Sequence, residues 1–124
     1  MTWRRDGAGA ALVVGFLALL SGCTSRDVPL GRVATSEVEL PKSYKFVPAD
    51  ITVAAGTTVT WTNHDNFTHT VHLVDDGGAV LTLRPGERVS HTFATPGLHR
   101  YECSLHPRDM KGTVLVADKK SPGA

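Results

Sequence analysis

The chain has 124 residues, with 13 Lys or Arg against 12 Asp or Glu and a formal net charge of +1. That length holds one ordinary domain and little more. So even a charge balance gives no electrostatic footing for nucleic acid.

In chain order, Arg4 and Arg5 form a short positive stretch, and residues 8–20 then run apolar for thirteen positions. This matches the hydrophobic part of a secretory signal and is too short to span a bilayer as a folded helix. Leu20, Ser21, Gly22 and Cys23 follow. They resemble the bacterial lipoprotein box, in which the Cys becomes the lipidated first residue of the mature chain. The expectation is a signal over 1–22 and a lipid anchor at Cys23; an ordinary secretory signal with a chance Cys is the plain alternative. Asp6 and Gly7, after the arginine pair, are not the apolar residues of a twin-arginine signal. Two of the basic and one of the acidic residues precede Cys23, which leaves 11 of each in the remaining 102 residues. With no polybasic patch, attachment would rest on the acyl chains, and stable attachment needs more than one.

Residues 23–36 mix Ser, Arg, Asp, Pro and Gly without periodicity and suit a tether. From there the pattern is β. Residues 37–40 form a weak strand, and 44–53 alternate around Pro48, which suggests an edge strand or a bend. Residues 57–62 alternate and are rich in β-branched side chains. Further strands are expected at 69–74, 79–83, 88–93, 98–103 and 112–117, separated by turns at Asp75 to Gly78, Pro85-Gly86 and Thr95 to Gly97. Seven or eight short strands at this spacing predict an all-β sandwich or barrel over 37–118, with a frayed tail at 119–124. Phase then selects the core. Val59 and Trp61 share one face, and so do His69, Val71 and Leu73, Tyr101 and Cys103, and Val114 and Val116. His69 and Cys103 therefore both fall at strand ends on the inward phase.

Cys103 is the sharper clue. If Cys23 carries lipid, Cys103 is alone in an oxidising compartment, where thiols ordinarily pair. Cys103, His106 and Met110 read C-x2-H-x3-M between two strands, so one loop offers a thiolate, an imidazole and a thioether. A second imidazole completes the His2Cys set with a weak axial Met that marks electron-transfer copper sites. Among His64, His69, His72, His91 and His99, His69 fits best by phase; His72 is out of phase, and His99 lies about 13 Å along its strand from Cys103. Met110 has no rival in the mature chain.

The residues from Trp61 to Val71, with His69, and from Tyr101 to Gly112, with Cys103, His106 and Met110, resemble the plastocyanin, amicyanin and pseudoazurin branch of the cupredoxins. The likeness spans roughly 38–117 and includes Phe46, Pro48, Ala55 and Gly56. It implies a Greek-key β-sandwich and one type 1 copper ion, with His69, Cys103 and His106 equatorial, Met110 axial, and the His106 ring edge near the surface. Two departures stand out. The Cys–His–Met spacing falls between the shorter and longer forms of the family. Thr70 also stands where an Asn usually ties the two ligand loops together. Thr70 and Ser104 are expected to support the ligands rather than bind the ion.

Blander readings stand beside these. Cys103 could be a buried structural thiol, or with His106 half a zinc site, though no second Cys or carboxylate supports zinc. His64 is expected in a solvated loop. His91 and His99 are expected as ordinary edge histidines, with a shared second metal as the sharper alternative. Trp61 and Tyr101 are expected in the core, and Leu105 and Pro107 either in a docking patch or in loop packing. A ligand set saturated by protein argues against an enzyme. The expected function is a monomeric, extracytoplasmic, membrane-anchored carrier of single electrons between redox proteins. The alternatives are copper delivery, buffering or resistance, and, more weakly, an adhesive sandwich with structural copper.

Overall fold

The computed structural model describes residues 28–119. The expected signal, Cys23, the start of the tether and residues 120–124 lie outside the described residues. The described residues form nine strands: β1 (Val33–Ala34), β2 (Glu37–Leu40), β3 (Asp50–Ala54), β4 (Thr57–Asn63), β5 (His69–Leu73), β6 (Ala79–Leu83), β7 (Arg88–Phe93), β8 (Gly97–Glu102) and β9 (Lys111–Ala117). They make a six-stranded sheet in the order β1-β3-β9-β8-β5-β6 and a three-stranded sheet in the order β2-β4-β7. The expected Greek-key β-sandwich is borne out.

Period-two patterning decides which residues meet between the sheets. In β4, Val59, Trp61 and Asn63 are buried while the Thr residues between them are less so. The outer face is closed by hydroxyl pairs to β7, Thr58 to Thr92 at 2.7 Å and Thr60 to Ser90 at 3.0 Å, the cross-strand pairing that stabilises a half-solvated sheet. Val38, Leu40, Val59, Trp61 and Phe93 from the small sheet pack with Ile51, Val71, Leu73, Leu83, Tyr101, Val114 and Val116 from the large one. Trp61 stands edge-on to Tyr101 at 5.3 Å, and Phe46 does the same at 4.8 Å. Gly112 is required by this packing, since a Cβ there would lie 2.2 Å from the Ala49 carbonyl oxygen and 2.4 Å from the Tyr101 ring.

Three details differ from expectation. The strand count is nine because Val33 and Ala34, in the stretch assigned to the tether, pair in parallel with Ile51 and Thr52; two residues are too few to show a period. The strand expected over 44–53 is confined to Asp50–Ala54. Ahead of it the backbone leaves the extended region, with Tyr44 at φ 52° and only an isolated bridge joining Val47 to Glu39. Alternation there reflects Phe46 turning into the core, not a strand.

The third concerns His99, which is no ordinary edge histidine but only 8% exposed. Its Nδ1 lies 2.9 Å from Asp76 Oδ2 and its Nε2 lies 2.8 Å from the Thr95 carbonyl oxygen. Two acceptors facing both ring nitrogens are satisfied only by the imidazolium, which donates from each. Burial pushes its pKa down, but the hydrogen bonds to Asp76 and Thr95 outweigh it and hold it above the ordinary 6.5. A folded-state value raised in this way gives stability that is complete below the unfolded value and lost as pH rises through the folded one. Asp76→Asn should remove this component. Between about pH 6 and about pH 9 the wild-type protein should lose roughly 1 kcal/mol more than the variant, as read by denaturant unfolding of the metal-free protein.

Candidate metal centre

His69 opens β5 and Cys103 directly follows β8; both are fully buried. These strands pair only at His72 with Glu102 and at Leu73 with Tyr101. Beyond that point the ladder gives way to side-chain bonds. The Thr70 N–H points at Cys103 Sγ at 3.4 Å, Ser104 N–H donates to Thr70 Oγ1 at 2.8 Å, and the Thr70 and Ser104 hydroxyls pair at 2.8 Å. Thr70, though shorter than Asn, therefore joins the two segments, with Ser104 supplying the remaining reach.

The loop after Cys103 is closed by its own backbone. His106 N–H donates to the Cys103 carbonyl at 3.1 Å, Met110 N–H to the His106 carbonyl at 3.0 Å, and Cys103 N–H to the Met110 carbonyl at 3.0 Å. This brings His106 beside the thiol and leaves Met110 fully buried at the same end of the sandwich. His69 Nδ1 and His106 Nδ1 each lie 3.9 Å from Cys103 Sγ. The donor atoms of the three residues all lie within 4.8 Å of one another, the sole such trio of His, Cys, Asp or Glu among the described residues. Donors that share an ion at about 2.0–2.3 Å stand roughly 3.3–4 Å apart, so the trio fits one metal ion.

Electrostatics prepares the sulfur. Burial opposes ionisation of Cys103, but the Thr70 N–H, the His69 imidazole, the Leu105 N–H and the His106 imidazole outweigh it and bring the thiol down to about 6. At neutral pH the group is a thiolate, the form that binds metal.

Sequence reasoning missed two neighbours. Asp65 is buried and its Oδ2 lies 2.8 Å from His69 Nε2. The hydrogen bond with His69, against the cost of burial and with help from the Asn66 N–H and Lys42, holds its carboxyl below the ordinary carboxylate range. An acidic residue four positions before a candidate ligand was the available signal. Tyr44 lies edge-on to His106 at 4.8 Å and to His69 at 5.7 Å, and stacks on Phe67 at 6.0 Å. No local pattern announces it, because the contact joins residues far apart in the chain. Leu105 and Pro107 are both exposed beside His106.

His64 is half solvated and pairs with Glu39. His91 and His99 turn toward one carboxylate, that of Asp76, with His91 Nε2 3.9 Å from Oδ1. The Phe93 ring sits against both imidazoles, at 4.8 and 5.2 Å.

The profile of the copper binding proteins, plastocyanin/azurin family, matches residues 34–117. This chain belongs to that family. It is 34% identical over 114 residues to amicyanin-alpha of Methylorubrum extorquens, covering 88% of this chain and 87% of that protein. It is 36% identical over 83 residues to a plastocyanin of Scenedesmus fuscus, covering 57% and 85%. Among solved structures it resembles a purple cupredoxin from Nitrosopumilus maritimus, with a TM-score of 0.58 at 31% identity over 65% of this chain and 98% of that one. The cupredoxin's cofactor is one copper ion, and a set of soft sulfur and imidazole donors suits that metal.

The Thr70–Ser104 junction is testable without metal. Thr70→Val removes the acceptor of the Ser104 N–H and should destabilise the metal-free protein by about 1–3 kcal/mol. Ser104→Ala keeps that backbone bond and should cost less, about 0.5–1.5 kcal/mol. Urea unfolding of both variants checks the order.

Proposed function

We propose that this cupredoxin is a type 1 copper carrier of single electrons, held outside the cytoplasm on a bacterial membrane by lipid at Cys23. In this reading His69 Nδ1, Cys103 Sγ and His106 Nδ1 hold the ion and Met110 takes the axial position. The supporting observation is the buried trio of one thiolate and two imidazoles within 4.8 Å of one another. Met110, whose backbone is bonded to both Cys103 and His106, is the only methionine other than Met1.

Bound copper supplies a one-electron Cu(I)/Cu(II) couple. The chain's own residues provide the rest. Packing and hydrogen bonds fix the donors before metal arrives, so little rearrangement accompanies a change of charge. Burial of His69 and Cys103 excludes water from one side. His106, half-buried under Tyr44, is the most exposed of the three and is the natural route for an electron to a docked redox protein. Four protein donors leave no position for a substrate, which favours a carrier over an enzyme.

Addition of Cu(II) to the metal-free protein should give intense visible absorption from the thiolate and a reversible one-electron wave, and Cys103→Ser should abolish both. Weak absorption with ready loss of copper to an acceptor would instead favour delivery or buffering. Attachment is assigned to Cys23 because Leu20, Ser21, Gly22 and Cys23 match the lipoprotein box. In a bacterial host the full chain should fractionate with membranes and incorporate labelled fatty acid. Cys23→Ala should lose the label and leave the membrane fraction.

A further inference from the structure

We propose that Asp65 is a positioning residue whose buried carboxylate, acting through His69, biases the metal centre toward its more highly charged state and thereby lowers the potential of the carrier. The inference rests on the electron-carrier reading above.

The geometry gives His69 two distinct ends. Its Nδ1 faces Cys103 Sγ at 3.9 Å, and its Nε2 faces Asp65 Oδ2 at 2.8 Å. An ionised carboxylate only accepts, so Nε2 carries the hydrogen and Nδ1 keeps its lone pair directed to the centre. A carboxylate in that place also makes the imidazole a stronger donor than a neutral acceptor would. The side chains of His69 and Asp65 are 0% and 5% exposed, so water screens their interaction poorly. A fixed negative charge behind one ligand attracts a doubly charged ion more than a singly charged one, which favours Cu(II).

The surrounding loop is built to hold the carboxylate in place. Asp65 Oδ1 accepts the Asn66 N–H at 2.7 Å, and the Asp65 N–H donates to Asn63 Oδ1 at 2.8 Å. Asn63 Nδ2 in turn donates to the carbonyls of Phe67 at 2.8 Å and Leu83 at 3.1 Å. Asn63, the last residue of β4, thereby ties the loop that carries Asp65 to the end of β6, so the carboxylate sits on a frame joined to two strands rather than on a free loop.

The test compares wild type with Asp65→Asn and Asp65→Glu by voltammetry, and by chelator competition for Cu(II) and Cu(I) separately. Asp65→Asn keeps an acceptor of similar shape without the charge. It should weaken Cu(II) binding about tenfold more than Cu(I) binding, which for a one-electron couple is an upward shift of about 59 mV. Asp65→Glu, which keeps the charge, should stay close to wild type, and the thiolate absorption should survive in all three. Asp65→Ser gives the same neutral comparison if Asp65→Asn does not take up copper. Equal weakening of both oxidation states in the neutral variant, or as large a rise in Asp65→Glu, would overturn the proposal. A wild-type protein without the thiolate band removes the carrier reading itself, whereas an intact band with an unmoved potential removes only the role of Asp65.

Discussion

Where β5 and β8 cease to pair, the Cys103 sulfur takes over as acceptor for the Thr70 N–H at 3.4 Å. Backbone donors inside a protein need partners, and at this point the partner is a thiolate rather than a carbonyl. The substitution has consequences in both directions. The sulfur is held ionised by the N–H groups and imidazoles around it, and the two segments that carry the donors are locked at a fixed separation. Thr70 and Ser104 reinforce the same junction with hydroxyl and backbone bonds. Fold closure and metal-site preparation are thus one set of contacts.

The two imidazoles have contrasting surroundings. His69 is sealed in the interior and backed by the carboxylate of Asp65, whose backbone N–H is anchored to Asn63. His106 lies on the loop, half-buried, with the Tyr44 ring against it and exposed Leu105 and Pro107 beside it. In the proposed reading, the inner imidazole governs the charge balance of the centre. In the same reading, the outer one lies where a partner approaches. This asymmetry follows from chain position: one His starts a strand in the sheet interior, and the other sits in a loop with no sheet neighbours to cover it.

Much of this was legible beforehand. Alternation in β4 and the turns between the later strands located β4 through β9 closely, and the inward phase of each is the more buried one. The same phase argument picked His69 over His72, and C-x2-H-x3-M named the loop. Phase was also sufficient in principle for His99, which shares the inward face with Tyr101, yet its neighbours in sequence gave no sign of the Asp76 carboxylate that makes burial of an imidazolium tolerable. Residues 44–49 misled for a related reason. Phe46 and its alternating neighbours mimic a strand, while the left-handed backbone at Tyr44 turns the segment into a loop over the metal centre.

The order and chemical kinds of the side chains were therefore set by the sequence: an all-β chain, one imidazole and one thiolate at strand ends, and a second imidazole and a single thioether in the loop that follows the thiolate. Folding alone decided which groups stand behind and over those donors. Asp65 behind His69, Tyr44 over His106 and Ser104 completing the reach of Thr70 are contacts whose distances depend on how the loops close. A periodic pattern reports which way a side chain faces. It carries no information about which residue from a distant loop arrives to meet it.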